Sequence, residues 1–251
     1  MKILRSFSTV FVPLLLASIQ ASASDNISSS KRDAFFSRIF QTNAWIGKNS
    51  ISGPGSELGA TENIRAALPE LLKYLGAKIL LDAPCGDFHW MQAVDLSFLD
   101  SYVGADIVLE LVENNSKQFG SLRVRFIKVD IVQDTLPVAD VMLCRDCLVH
   151  LSNKDIAAFI RNLKRSSIRY LLTTTYTGLK ANADFTGQSL ANLARFRPIN
   201  LQLSPYNFPA PLWVMRESDV TFFHYVPSTH KLLDRSLALW KVEDLLDVTM
   251  G

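Results

Sequence analysis

The order of apolar and polar residues divides most of the chain into strand-like and helix-like segments. Five short, mostly apolar runs are typical of buried strands and cover residues 78–82, 101–106, 124–130, 139–144 and 168–174. Several are separated by segments with helical spacing of apolar residues, such as 108–119 and 154–165. Buried strands that alternate with helices are typical of a parallel sheet covered on both faces.

The segments on either side of this alternation complete the predicted fold. Helical spacing of apolar residues predicts helices over 34–46 and 61–75, and the Ser-rich residues 24–32 predict a disordered leader. Segments 213–217 and 236–242 predict two closing strands. We therefore predict an α/β protein with a Rossmann-like, seven-stranded, mostly parallel sheet, helices on both faces and an N-terminal helical extension.

Residues 1–23 have the features of a secretory signal. Lys2 and Arg5 begin it, a mostly apolar run follows, and Ala21-Ser22-Ala23 fits a cleavage site, so the mature chain is predicted to begin near Ser24. This predicts a protein of the secretory pathway or a secreted protein, with a mitochondrial presequence as the alternative. The apolar run is too short for a stable membrane span.

The remaining chain is predicted to be one domain preceded by an extension. The extension, 24–60, includes a Gly- and Ser-rich loop at 52–56 that is placed to close over a ligand, and the domain covers 61–251. A long polar stretch at about 177–211 interrupts the domain, and such stretches are usually functional or disordered. We predict that it is a lid.

Composition and charge exclude several classes of protein. The 251 residues are 48% apolar and 20% charged, which is too apolar for a disordered chain. A net charge of +2 gives no basic excess for binding nucleic acid. Three cysteines exclude a disulfide scaffold, and without a matching histidine cluster they predict no metal site. The oligomeric state stays unknown at this stage.

Acidic residues end the first three predicted strands, at Asp82, Asp106 and Asp130. Ligands of open parallel sheets bind beyond the carboxyl ends of the strands, and an acid after the second strand can accept both hydroxyls of a ribose. An aspartate that only caps a following helix is the alternative for each one taken alone. The three together predict a nucleoside-like ligand.

The sequence of the loop after the first strand further limits the class of ligand that is expected. It lacks the Gly-x-Gly-x-x-Gly pattern that brings a pyrophosphate to the backbone, and the chain has neither a Gly-x-x-x-x-Gly-Lys loop nor a Gly-x-Ser-x-Gly elbow. The ligand is therefore expected to lack a pyrophosphate, which disfavours a nicotinamide-dependent reductase.

The string Leu-Asp-Ala-Pro-Cys-Gly-Asp-Phe-His-Trp-Met, from Leu81 to Met91, resembles the signature of an uncharacterised group of class I S-adenosylmethionine-dependent methyltransferases. The similarity runs from about residue 52 to residue 240 and includes Cys-Arg-Asp-Cys-Leu-Val-His-Leu at 144–151. It implies S-adenosylmethionine as the cofactor. The superfamily's usual Gly-x-Gly is replaced by Pro84-Cys85-Gly86, as it is in the similar group.

The resemblance also implies which residues bind the cofactor. Asp106 is implied to bind the ribose hydroxyls and Asp130 to face the adenine amino group, with Ile131 beside the ring. The full implied set is Asp82, Ala83, Pro84, Cys85, Gly86, Asp87, Asp106, Ile107, Asp130, Ile131, Cys144 and Arg145. Cys85 and Cys144 follow strands that are neighbours in this fold, so they could form a disulfide in an oxidising lumen; buried thiols beside a pocket are the alternative.

Methyl transfer to a hydroxyl needs a base. His150 is the first candidate, because neutral imidazole is available near pH 7, and Asp146 is the second; a packing histidine is the alternative reading of His150. Residues of the lid and its start are candidates for binding the acceptor, with a solvated surface loop as the alternative. They are Tyr176, Asn182, Asp184, Arg197 and Asn200.

The function predicted from the sequence is a methyltransferase that acts on a small-molecule or glycan acceptor, at oxygen. The alternative is a non-catalytic secreted or lumenal binding protein on a methyltransferase scaffold, because a fold alone does not decide activity.

Overall fold

The computed structural model describes residues 23–185, 196–217 and 234–249, with side chains from residue 29 onward. The predicted signal, apart from its last residue, and the middle of the predicted lid lie outside the described residues. The helices are α1 (Ala23–Thr42), α2 (Glu62–Tyr74), α3 (Leu109–Phe119) and α4 (Asn153–Lys164). The strands are β1 (Ile79–Asp82), β2 (Ser101–Asp106), β3 (Val124–Lys128), β4 (Val141–Cys144), β5 (Tyr170–Tyr176), β6 (Trp213–Arg216) and β7 (Arg235–Lys241).

The seven strands form one sheet in the order β3-β2-β1-β4-β5-β7-β6. β1 to β5 are parallel, and β7 pairs antiparallel with both β5 and β6. The chain order reverses between β1 and β4, which is where open sheets of this kind bind ligands. The predicted Rossmann-like, mostly parallel seven-stranded sheet is therefore confirmed, and both closing strands are present.

Apolar stripes place the helices on opposite faces of the sheet. α2 and α3 pack on one face, where Ile64, Leu68 and Leu111 join a buried cluster with Leu80 of β1. α4 packs on the other face in a cluster that contains Leu81, the next residue of β1. Successive strand residues point to opposite faces, so a wholly apolar strand can serve both clusters. Among the described helices, none combines the length and the apolar character needed to cross a membrane.

The first helix is longer than its apolar spacing predicts. It begins at Ala23, so the expectation of a disordered leader over 24–32 is wrong for the described part of the chain. Tertiary contacts explain the difference, because Ser29 and Arg32 both donate hydrogen bonds to Asp130 at the end of the sheet. These polar partners stabilise residues that have no apolar periodicity of their own.

Candidate active site

The carboxyl ends of β1, β2 and β3 meet at one cavity. Asp82 and Asp106 are the last residues of β1 and β2, and Asp130 follows β3 by two residues. All three are buried and line the same cavity, which encloses about 1090 Å³ including its open mouth. The structure thus brings together the three acids that the sequence placed at strand ends.

Burial changes the protonation of two of these acids. It raises the pKa of Asp82 to about 7, although a 2.7 Å hydrogen bond from the Tyr102 hydroxyl and the charge of Arg145 act in the opposite direction. Burial also raises the pKa of Asp106 to about 6, against hydrogen bonds from the backbone N–H groups of Val108 and Gly86. Without a ligand, both carboxyls therefore take up protons near neutral pH.

The loop after β1 contains one glycine, Gly86, and the backbone conformation there requires a glycine. Gly86 has φ 57°, a conformation that side chains disfavour, and a Cβ added there would collide with the Ser52 hydroxyl. Its carbonyl accepts a 2.8 Å hydrogen bond from the Asn115 amide. The Pro84-Cys85-Gly86 sequence therefore keeps a glycine where the loop turns under the cavity.

The loop at 50–56 is fastened to this turn through Asp87. The Asp87 carboxylate accepts hydrogen bonds from the Ser50 hydroxyl (3.0 Å) and the Ile51 N–H (2.8 Å), and the Asp87 N–H donates to the Ser52 hydroxyl (2.9 Å). Ile51, Ser52 and Ser56 line the cavity. The loop therefore lies beside the cavity, and its closure over a ligand stays a prediction.

Asp130 has partners that the sequence did not indicate. One carboxylate oxygen accepts hydrogen bonds from Arg32 Nε (3.2 Å) and Nη2 (2.8 Å) and from the Ser29 hydroxyl (2.8 Å). Its other oxygen accepts from the Val132 N–H at 3.0 Å. Arg32 Nη1 also bonds Asp155 at 2.8 Å, so one guanidinium joins α1 to the sheet edge and to α4.

A group of four charges lies at the wall after β4, three of them buried and Asp146 partly exposed. Arg145 donates to Glu217 Oε2 through Nε (2.9 Å) and Nη2 (2.6 Å), and Arg235 contacts both Asp146 (3.1 Å) and Glu217 (3.2 Å). Burial alone would raise the pKa of Asp146, but its arginine partners and nearby His150 hold it below the ordinary value. A paired carboxylate with a lowered pKa is a weak base, and the catalytic roles of His150 and Asp146 stay predictions.

His150 lies at the cavity with an aromatic neighbour on its face. Its imidazole stacks on the indole of Trp45, with ring centroids 4.9 Å apart and an interplanar angle of 25°. Phe196 approaches it edge-on at 6.0 Å. Trp45, together with Phe36 and Phe40 of α1, also lines the cavity. Sequence reasoning missed these extension residues, because their apolar spacing indicated only a helix face.

Most of the predicted cofactor residues line the cavity. Those that do are Asp82, Pro84, Cys85, Gly86, Asp87, Asp106, Ile107, Asp130, Ile131 and Arg145. Ala83 and Cys144 are fully buried and lie behind the wall. Cys85 and Cys144 are free thiols in different apolar clusters, so the structure does not bring them together as a disulfide. Within the described residues, no group of three or more His, Cys, Asp or Glu side chains is arranged to hold a metal.

The predicted acceptor residues have other contacts in the described part of the lid. The Asn182 side chain donates to the Asn200 carbonyl and accepts from the Asn200 N–H, and Arg197 bonds the Ala183 carbonyl at 2.8 Å and Asn153 at 2.7 Å. Asp184 accepts from the Asn153 N–H. These bonds satisfy the backbone of an irregular segment. None of the four lines the described cavity, and their role in acceptor binding stays a prediction.

Tyr176, the fifth predicted acceptor residue, is buried at the end of β5. Its hydroxyl has no hydrogen-bond partner, and burial raises its pKa. Phe196 lies between it and His150, at 6.2 Å from the Tyr176 ring. Tyr176 therefore stands behind the wall of the cavity rather than on it.

The sequence matches no protein-family model and no curated protein. A solved structure of 1,6-didemethyltoxoflavin-N1-methyltransferase from Burkholderia thailandensis, with 1,6-didemethyltoxoflavin and S-adenosylhomocysteine bound, is 16% identical, with 92% of each chain covered and a TM-score of 0.52. Magnesium protoporphyrin IX methyltransferase from Synechocystis PCC 6803, with S-adenosylhomocysteine bound, is 12% identical over 86% of this chain and 98% of that one, with a TM-score of 0.49.

Human N-acetylserotonin methyltransferase, in complex with S-adenosylmethionine, is 13% identical over 87% of this chain and 68% of that one, with a TM-score of 0.44. At these identities the Burkholderia enzyme shows the fold and nothing finer. The chain has the Rossmann-like fold of the S-adenosylmethionine-dependent methyltransferases.

Proposed function

We propose that this protein binds S-adenosylmethionine and transfers its methyl group to a small-molecule acceptor, at oxygen. The observation that carries the proposal is the convergence of Asp82, Asp106 and the Gly86 turn on one cavity at the sheet's reversal point. Carboxylates can accept hydrogen bonds from the ribose hydroxyls of such a cofactor, and this cavity stands in a methyltransferase fold.

The residues of the cavity fit S-adenosylmethionine, and one of them, Asp130, takes a second role in holding α1. We assign Asp106 to accepting hydrogen bonds from the ribose hydroxyls, and Gly86 leaves the space that a side chain would fill. Asp130 already accepts three hydrogen bonds from α1, so we assign it to holding α1 over the cavity as well as to the adenine side. Ile107 and Ile131 supply apolar walls nearby.

When bound, the cofactor supplies a methyl carbon that is already activated by its sulfonium, so the protein mainly positions the partners. His150 is the residue that we assign to accepting the acceptor's proton, because it lies on the cavity wall and histidine is the side chain whose neutral form is ordinarily available near pH 7. Arg145 and Asp146 carry charges balanced by Glu217 and Arg235, and they shape the wall.

Calorimetric titration of S-adenosylhomocysteine into residues 24–251 tests the proposal. We expect binding in the micromolar range that Asp106→Ala abolishes, because the substitution removes the carboxylate assigned to the ribose. Asp95→Ala is the matched control, since Asp95 is an exposed aspartate away from the cavity. A folded wild-type protein that fails to bind would contradict the proposal and favour the non-catalytic binding protein.

A further inference from the structure

The imidazole of His150 is held in its plane by a residue of the N-terminal extension. Trp45 stacks on it at 4.9 Å with the rings only 25° from parallel, and both residues line the cavity. Offset stacking of two aromatic rings is favourable over a narrow range of orientations. The indole therefore restricts the rotation of the ring that we assign as the base.

Packing contacts, rather than a hydrogen bond, hold Trp45 in place. Its indole N–H is buried without a hydrogen-bond partner. Phe36 contacts the indole edge-on at 6.5 Å, and Gly53 lies so close that an added Cβ would stand 3.1 Å from Trp45 Cβ. Gly53 has φ 95°, a conformation that favours glycine, so the loop can approach Trp45 only with this residue type.

The same loop continues to the turn below the cavity. Ser50 and Ile51 donate to the Asp87 carboxylate, and Ser52 accepts from the Asp87 N–H. Contacts therefore run without a gap from Asp87, through the loop, to Trp45 and His150. The extension is part of the site, and it contacts the residue that we assign as the base.

We propose that Trp45 is a positioning residue for His150, an inference that rests on the proposed function. In the step it serves, the acceptor's hydroxyl oxygen forms a bond to the methyl carbon, and the hydroxyl proton passes to a neutral imidazole nitrogen. The electrons of the carbon–sulfur bond return to sulfur, which becomes a thioether. Small displacements of a reacting group slow such a step strongly, so the plane of the imidazole matters.

The first test is spectroscopic and needs no acceptor. The chain contains four histidines, and His150→Gln identifies the ring signals of His150 by NMR. We expect Trp45→Ala to move these signals downfield by removing the indole ring current, and Trp45→Phe to recover part of the shift. Trp213→Ala, on β6, is the matched control and should leave them unchanged. Unmoved His150 signals in Trp45→Ala would overturn the inference.

The second test is a double-mutant cycle on the methyl-transfer rate, with an acceptor found by a screen using methyl-labelled S-adenosylmethionine. We expect Trp45→Ala to lower kcat by about tenfold or more, Trp45→Phe to restore most of it, and Trp45→Ala/His150→Ala to be no slower than His150→Ala. Additive losses would mean that Trp45 acts independently and would overturn the inference. If S-adenosylhomocysteine does not bind the wild type, the proposed function fails, whereas the NMR result still decides whether Trp45 stacks on His150.

Discussion

At the scale of single residues, Asp82 and Asp106 couple the charge of the cavity to pH. Both are buried with little water to solvate a carboxylate, and their pKa values rise to about 7 and about 6. In an unfolded chain both would ionise near pH 4. Between the unfolded pKa near 4 and the folded values of about 6 and about 7, the ligand-free folded protein therefore binds more protons than the unfolded chain.

This difference predicts how the stability of the ligand-free protein depends on pH. A group whose pKa is raised on folding stabilises the protein fully at low pH and loses that contribution as pH rises through the folded value. We expect the free energy of unfolding to fall by a few kcal/mol, in order of magnitude, between pH 5 and pH 8. Denaturant melts at several pH values measure it.

Asp82→Asn and Asp106→Asn should each flatten this pH profile, because an amide does not titrate. Asp95→Asn is the control and should leave the profile unchanged, since Asp95 is exposed and already ionised over this range. A profile that rises with pH, or one that the two buried substitutions leave intact, would show that other groups dominate.

At the scale of elements, α1 is the part of the fold that the site depends on most. Arg32, Phe36, Ile39 and Phe40 line the cavity from one helix, and Phe36 packs against the apolar clusters of both sheet faces. Arg32 joins the helix to Asp130 and to α4 with three short polar contacts. The helix is therefore held over the cavity by charge at one end and by apolar packing along its length.

Arg32→Gln should destabilise the protein by about 1.5–3 kcal/mol, because it removes hydrogen bonds between charged groups that are mostly buried. It should also weaken binding of S-adenosylhomocysteine, since α1 forms one wall of the cavity. Chemical denaturation and calorimetry measure the two effects.

Arg169→Gln is the matched control, because Arg169 pairs with Asp140 while more than half exposed, and surface pairs contribute little. Tighter binding of S-adenosylhomocysteine by Arg32→Gln would contradict the prediction. That result would mean that Arg32 competes with the ligand for Asp130.

At the scale of the whole molecule, the group of four charges at the cavity wall joins parts of the chain that are far apart in sequence. Arg145 follows β4, Glu217 follows β6, and Arg235 begins β7, and Arg145 also donates to the Gly55 carbonyl at 2.9 Å. Glu217 is only 1% exposed and faces two arginines. The group thus ties the closing strands and the extension loop to the wall of the cavity.

Glu217→Gln should cost about 3–5 kcal/mol in the free energy of unfolding, because two buried guanidinium groups lose a carboxylate while remaining in place. Thermal and chemical denaturation measure the loss. Glu243→Gln is the control, since Glu243 forms an exposed pair with Lys241, and its stability should be nearly that of the wild type. Equal stability of the two variants would show that the buried group is not needed for folding.

Much of the fold and part of the site could be predicted from local sequence. The apolar runs that end in Asp82 and Asp106 determined where β1 and β2 stop, because a buried strand leaves a visible run of apolar residues. Gly86 and the acids at strand ends could be placed at the cavity, because parallel strands bring their carboxyl ends to one edge. The predicted signal at 1–23 and the acceptor roles in the lid stay predictions.

Only the tertiary structure decided which side chains complete the site. Arg32 meets Asp130 across 98 residues, and Arg145 meets Glu217 across 72. Trp45, in the turn after α1, contacts His150, and no periodicity in its own sequence records that contact. Local patterns report which face of an element is buried, whereas contacts between distant segments depend on how all the elements pack, so the sequence alone identified the acids and left their partners undetermined.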